Sequence, residues 1–208
     1  MAASDYVPTY PLYRLHPKGR PQMPLFWRDR DLQWRALCRS SGSYLRLASL
    51  VRRRHSAEMR IALFEPEIAG NVGAVLRLGA CLGAAVDLIE PMGFKWDDRR
   101  VRRTAMDYID HVTIARHRGF DAFRTAVGSR RLVLFTTKSG QSAYDFAFRA
   151  DDVLLFGKES AGVPPAIAEV CDARVRIPMR SQVRSMNLAT SAALALGEAL
   201  RQTATLPS

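Results

Sequence analysis

Residues 152–200 read DVLLFGKESAGVPPAIAEVCDARVRIPMRSQVRSMNLATSAALALGEAL, and the way this stretch divides decides the fold. Val153 to Phe156 is a short apolar, partly β-branched run that stops at Gly157, the pattern of a strand buried in a parallel sheet. Gly157 and Gly162 bracket a tight loop carrying Lys158, Glu159 and Ser160. Glycine lets such a backbone turn sharply or approach a ligand closely. A second strand is predicted from Ala173 to Ile177, stopped by Pro178. After a polar loop, Ser185-Met186-Asn187 leads into an alanine-rich helix. Leu188, Ala192, Ala195 and Ala199 fall at i, i+4, i+7 and i+11, on one helical face. Two strand-end loops therefore lie beside one helix start. In open parallel sheets, ligands bind outside the carboxyl ends of the strands.

Working outward, the rest of the chain alternates strands and helices in the same way. A strand is predicted from Met59 to Phe64, a loop from Glu65 to Gly70, and a helix from Asn71 to Gly83. Val72, Val75, Leu76 and Gly79 form the buried stripe of that helix, and Arg77 points away from it. Further strands are expected at Ala85 to Glu90, His111 to Ala115 and Arg131 to Phe135, with a short helix from Asp121 to Val127. Phe146 and Phe148 alternate and plug the core edge. The class is α/β, a mostly parallel sheet with helices on both faces. His111 and His117 lie six apart and read as structural or surface residues.

Bulk properties narrow the function. At 208 residues, 48% of them hydrophobic, the chain can bury one sizeable core. No run of about 18 apolar residues exists for a membrane span. The first 20 residues lack the apolar segment of a secretory signal. Three cysteines without a C-x-x-C pair predict neither a disulfide framework nor a metal cluster, and suit a reducing cytoplasm. The net charge of +11 favours an acidic partner such as nucleic acid. Residues 1–58 hold 11 Lys+Arg against 4 Asp+Glu, so most of that surplus lies in the N-terminal segment. Prolines at 8, 11, 17, 21 and 24 break helices there. Residues 1–58 read as a basic extension, disordered or lying upstream of a true start at Met59, and residues 59–208 as the folded domain. A second basic cluster, Lys95 with Arg99, Arg100, Arg102 and Arg103, is placed either to meet RNA phosphates or to solvate a helix. Tyr108 either stacks on a base or fills the core. No G-x-G-x-x-G follows a strand, which excludes a dinucleotide-binding site of that kind.

Three motifs carry a resemblance. GKESAG (157–162) resembles the G-x-E-x-x-G loop of the SPOUT RNA methyltransferases. IPM (177–179) with SMNLA (185–189) resembles their last motif, and NVGAVLR (71–77) their first, N-x-G-x-x-x-R. The run IEPMGFKWDDRRVRRTAMDY (89–108) is similar to the TrmL branch, and the whole likeness spans Met59 to about Gln202. Lys158 departs from the serine, arginine or proline common at that place. By themselves Asn71 reads as a helix N-cap and Arg77 as a solvated side chain; the matched spacing reverses that preference.

The resemblance implies a C-terminal trefoil knot, S-adenosylmethionine as cofactor, no metal, and a homodimer with its site near the subunit contact. It implies 2′-O-methylation of the wobble ribose of tRNA, read from the anticodon stem-loop, with leucine tRNAs bearing C or a modified U there as expected substrates. The same chemistry on another tRNA position or on ribosomal RNA is one alternative; a non-catalytic RNA-binding protein is another. By motif, Arg77, Asn71 and Glu159 are the implied catalytic residues: Glu159 holds loop or interface geometry and is free to pair with Arg77, and Asn71 orients Arg77 or the ribose. Phe135, Thr136, Gly157, Ile177, Met179, Ser185, Asn187 and Leu188 are the implied cofactor-binding set.

Overall fold

Alternation along each strand builds two apolar layers. The structure is a computed structural model in which residues 58–96 and 106–207 are described. The expectations for the N-terminal extension, and for the basic run with Arg99, Arg100, Arg102 and Arg103, lie outside the described residues. The elements run β1 (Arg60–Phe64), α1 (Ala69–Leu82), β2 (Ala85–Ile89), a 3-10 turn (Met106–His111), β3 (Ile114–His117), α2 (Phe120–Val127), β4 (Leu132–Phe135), β5 (Val153–Phe156), α3 (Pro165–Glu169), β6 (Ala173–Val175) and α4 (Leu188–Gln202). All five strand pairings are parallel, in the order β3-β2-β1-β5-β4-β6.

Successive residues of a strand face opposite sides. Ile61, Leu63, Val133, Leu154 and Phe156 meet α1 and α4 on one side. Ala62, Phe64, Leu134, Val153 and Leu155 meet Phe123 and Val127 of α2 and the edge of α3 on the other. Each fully buried Leu, Ile or Val contributes roughly 1.5–3 kcal/mol. Helices thus cover both faces, as the sequence predicts. The predicted stripes of α1 (Val72, Val75, Leu76, Gly79) and α4 (Leu188, Ala192, Ala195, Ala199) are buried, and Phe146 and Phe148 close the core edge. Parallel order establishes the sheet; the expected knot rests on the family resemblance, since strand order does not express threading.

Three segments differ from the sequence reading. β3 starts at Ile114, because pairing with β2 aligns Val86 with Ile114 and Ile89 with His117. Of the strand expected from His111 to Ala115, His111 instead ends a 3-10 turn that runs from Met106. β6 ends at Val175, because Arg176 trades backbone hydrogen bonds with Gln141 and Ala143 at 2.8 Å each. The third is His117, which is buried with its Nε2 2.7 Å from Asp87 Oδ1. Arg60 donates to the same carboxylate at 2.7 and 2.9 Å. The acidic partner absent near His117 in sequence thus arrives from β2, 30 positions away.

Candidate active site

Three strands end side by side. Register pairs Phe135 with Phe156 on one flank and with Val175 on the other, so Thr136, Gly157 and Arg176 leave the sheet together. The Phe135 and Phe156 rings stack with centroids 4.9 Å apart. The Thr136 N–H donates to Val175 O at 2.9 Å, fastening the loop after β4 to the end of β6.

The loop after β5 is closed by reciprocal backbone hydrogen bonds between Lys158 and Gly162, of 3.0 and 2.9 Å. A Cβ on Gly157 would fall 2.3 Å from the carbonyl carbon of Gly162, so that position admits no side chain. This turn carries Glu159 to the start of α1. Its carboxylate accepts from the backbone N–H of Glu67 at 2.9 Å and of Ile68 at 3.3 Å. α1 has no side-chain cap of its own at Ile68. Glu159 therefore supplies both the acceptor that a helix start lacks and the negative charge its dipole favours.

The three motifs meet in one hydrogen-bonded chain. Asn71 Nδ2 donates to Glu159 Oε1 at 2.9 Å, and Asn71 Oδ1 accepts from Asn187 Nδ2 at 2.9 Å. Asn187 Oδ1 in turn accepts from the N–H groups of Ala189 and Thr190, at 2.9 and 3.2 Å, and so caps α4. Asn71 is itself buried inside the first turn of α1 rather than at its cap. A second clasp runs in the opposite sense. Glu67 accepts from the Ser160 N–H at 2.9 Å and hydroxyl at 2.8 Å, and Lys158 pairs with Glu65. The Ser160 hydrogen bonds hold the Glu67 carboxyl below its ordinary pKa, and the hydrogen bond to Glu65 raises the Lys158 ammonium. The departure at Lys158 is thus matched by an acid on the facing loop.

Arg77 stands apart from this chain. It is exposed on α1, six residues after Asn71, which is about 9 Å of rise and about 120° around the axis. Its guanidinium lies over the Tyr108 ring at 5.0 Å. The expected partnerships of Arg77 with Glu159 and Asn71 are not formed: those two bond to each other and to neighbouring backbone. Tyr108 accordingly neither fills the core nor lies bare.

The cofactor set is gathered at the same edge. Leu188 is buried, Ile177 and Met179 are half-buried, and Ser185 is exposed and outside the Asn71 chain. The N–H groups of Ile177 and Met179 make no backbone hydrogen bond among the described residues. Free amide donors beside half-buried apolar side chains fit a nucleoside, whose ring edge accepts hydrogen bonds and whose faces are apolar. No three His, Cys, Asp or Glu residues among those described are placed to hold a metal. Sequence reasoning missed Glu67, the contact of Ser160 with it, and the contact of Tyr108 with Arg77. The complementary spacing of Glu65 and Glu67 against Lys158 and Ser160 was the available signal for the clasp.

The sequence model of the SpoU rRNA Methylase family matches residues 58–197. The chain belongs to this family. A SpoU relative in Beijerinckia indica subsp. indica, named tRNA (cytidine(34)-2′-O)-methyltransferase, is 53% identical over 148 residues, 70% of this chain and 92% of its own. Among solved structures, "Structural insights into the 2-OH methylation of C/U34 on tRNA" matches with a TM-score of 0.67 and 38% identity, covering 70% of this chain and 95% of that one. An AdoMet-bound rRNA methyltransferase from Sinorhizobium meliloti matches with a TM-score of 0.63 and 26% identity, covering 69% of this chain and 56% of that one. The SpoU chain has no helix, among the described residues, long and apolar enough to cross a membrane.

Proposed function

We propose that this chain is a cytoplasmic tRNA methyltransferase that places a methyl group on the ribose 2′-hydroxyl of the wobble nucleotide, position 34, with leucine tRNAs carrying C or a modified U as substrates. The observation that carries the reading is the Glu159–Asn71–Asn187 chain, which locks all three motifs to one strand-end edge. S-adenosylmethionine, the proposed donor, supplies an activated sulfonium methyl. Ile177 and Met179 offer it backbone donors, Phe135, Thr136 and Gly157 form walls, and Ser185, Asn187 and Leu188 close the site.

Methyl transfer of this kind depends chiefly on alignment, so the rigid clasp is itself part of the mechanism. Arg77 keeps its proton at ordinary pH. Its role is therefore to anchor phosphate and to stabilise negative charge forming on the ribose oxygen, not to abstract the proton. Within one chain Arg77 is on another face of α1 from Asn71, which supports a homodimer whose site is completed across the subunit contact. Residues 59–208 are the proposed catalytic domain, and Arg99, Arg100, Arg102 and Arg103 the proposed phosphate contacts. Action on ribosomal RNA is disfavoured: the 53% identical relative is named for tRNA position 34, whereas the rRNA enzyme is 26% identical.

Purified protein with methyl-labelled S-adenosylmethionine, an anticodon stem-loop and a ribosomal RNA fragment tests the reading. Label recovered as 2′-O-methyl at position 34 supports it; label only in the ribosomal fragment, or none, overturns it. Sedimentation of the same material as a monomer would overturn the homodimer.

A further inference from the structure

A second concavity opens at the same edge of the sheet, at the ends of β2 and β3. It has a volume of about 350 Å³ and is lined by Glu90, Met92, Phe94, Trp96, Arg116 and Arg118, with Pro91 at its side. That lies at the small end of ligand-sized pockets, roughly 300–1,000 Å³. Its lining is two-natured. Met92, Phe94 and Trp96 pack against the core from outside and remain half-buried. Arg116 places its guanidinium over the Trp96 ring at 5.1 Å, and Glu90 holds that guanidinium by an ion pair. Arg118 is exposed and has no salt bridge or hydrogen bond among the described residues.

Aromatic rings and arginine planes are the surfaces on which unstacked RNA bases settle, and a neighbouring arginine meets the phosphate. The pocket also belongs mechanically to the catalytic edge. Gly93 donates to Pro66 O at 2.9 Å, and a Cβ on Gly93 would fall 2.8 Å from the Cα of Glu67. Glu67 is the residue clasped to Ser160 beside Glu159. β2 lies two strands from β5, about 10 Å at ~4.8 Å per strand, a separation that neighbouring nucleotides of one single strand can span.

We infer that this pocket is a nucleotide subsite: it takes one unstacked base flanking the methylated ribose, stacked on the Trp96–Arg116 pair, with that nucleotide's phosphate on Arg118. The assignment rests on the proposed RNA substrate but names a different contact from the methyl-transfer site. Glu90 fixes the guanidinium plane, and Met92 supplies an adaptable apolar floor.

The test is a cycle between protein and RNA. Full-length wild type, Trp96→Leu and Arg118→Glu are each titrated by fluorescence anisotropy with an anticodon stem-loop. The loop is intact, or abasic at the nucleotide before or after position 34. The expected result is about tenfold weaker binding of intact RNA by Trp96→Leu, the order of one base–aromatic stack. That loss disappears when the abasic site occupies one of the two flanking positions. Arg118→Glu, a surface change that leaves the core untouched, weakens binding of all three RNAs alike. S-adenosylmethionine affinity and melting temperature serve as folding controls. If Trp96→Leu fails those controls, Trp96→Phe replaces it, with a partial loss that again vanishes at one abasic position. Losses that persist undiminished with both abasic RNAs, or intact-RNA binding unchanged in the Trp96 and Arg118 variants, overturn the subsite even when methyl transfer is normal. Coupling in binding without any methyl transfer would instead sustain the subsite and overturn the proposed reaction.

Discussion

The side-chain amide of Asn71 donates to Glu159 at 2.9 Å across 88 positions of sequence, and the same carboxylate caps the helix in which Asn71 sits. One residue therefore orients both the start of α1 and the loop after β5. Glu159→Ala removes three accepted, charge-assisted hydrogen bonds, two of them partly buried. It should lower stability by about 1–3 kcal/mol and reduce both cofactor affinity and turnover, read by urea unfolding and calorimetric titration. A variant with wild-type stability and binding would remove Glu159 from the account.

Arg77 and Tyr108 give a prediction of the opposite kind. Arg77 is exposed and meets Tyr108 face-on at 5.0 Å, so its loss should leave folding and S-adenosylmethionine binding intact. Arg77→Ala should lower kcat by about 10²–10³-fold, the scale of deleting one preorganised stabiliser. Tyr108→Phe keeps the ring and should retain most activity, while Tyr108→Ala should lose part of it. Equal behaviour of the two Tyr108 variants would show that the ring does not position Arg77.

How much of this was legible in the sequence differs by residue. Strand positions such as Val153 and Leu155 announced themselves, because an apolar run ended by glycine admits few alternatives, and Gly157 marked a tight turn. Asn71, Glu159 and Asn187 were found through motif spacing, yet their mutual bonding was not, since spacing says nothing of contacts 88 and 116 positions apart. Glu159 was read as holding loop or interface geometry and as free to pair with Arg77; its carboxylate bonds the uncapped start of α1 and Asn71 rather than Arg77. His117 was read without an acid for the same reason: Asp87 is distant in sequence and is brought close by the parallel register of β2 and β3.

That buried acid makes stability depend on pH. Burial by itself would raise the Asp87 carboxyl, but hydrogen bonds and charge from His117 and Arg60 outweigh it and hold its pKa below the ordinary value. A carboxyl depressed on folding contributes stability that is complete above its unfolded pKa, ~3.9, and is lost as pH falls through the folded value. Asp87→Asn should therefore cost roughly 3 kcal/mol at pH 7, the order for breaking a buried pair, and a smaller amount near pH 3. Urea midpoints for both proteins at the two pH values decide it; an equal deficit at both would contradict the linkage.

Two glycines separate close contact from mere helix chemistry. Gly157→Ala drives a methyl against the Gly162 backbone at 2.3 Å and should destabilise by about 1–3 kcal/mol, with weakened cofactor binding as Glu159 shifts. Gly70, in the first turn of α1, has no atom within 4 Å of an added Cβ. Gly70→Ala should be neutral or stabilising by up to about 1 kcal/mol. Thermal unfolding of the pair provides the comparison; similar losses in both would argue against the tight loop.

The central claim is tested most directly by mapping ribose methylation at position 34 of tRNA from cells lacking this protein, complemented either with the wild-type chain or with Arg77→Ala. The account predicts that the 2′-O-methyl mark is absent without the protein, restored by the wild type and not restored by the Arg77 variant. A mark that persists in the deletion, or that the Arg77 variant restores in full, would contradict it.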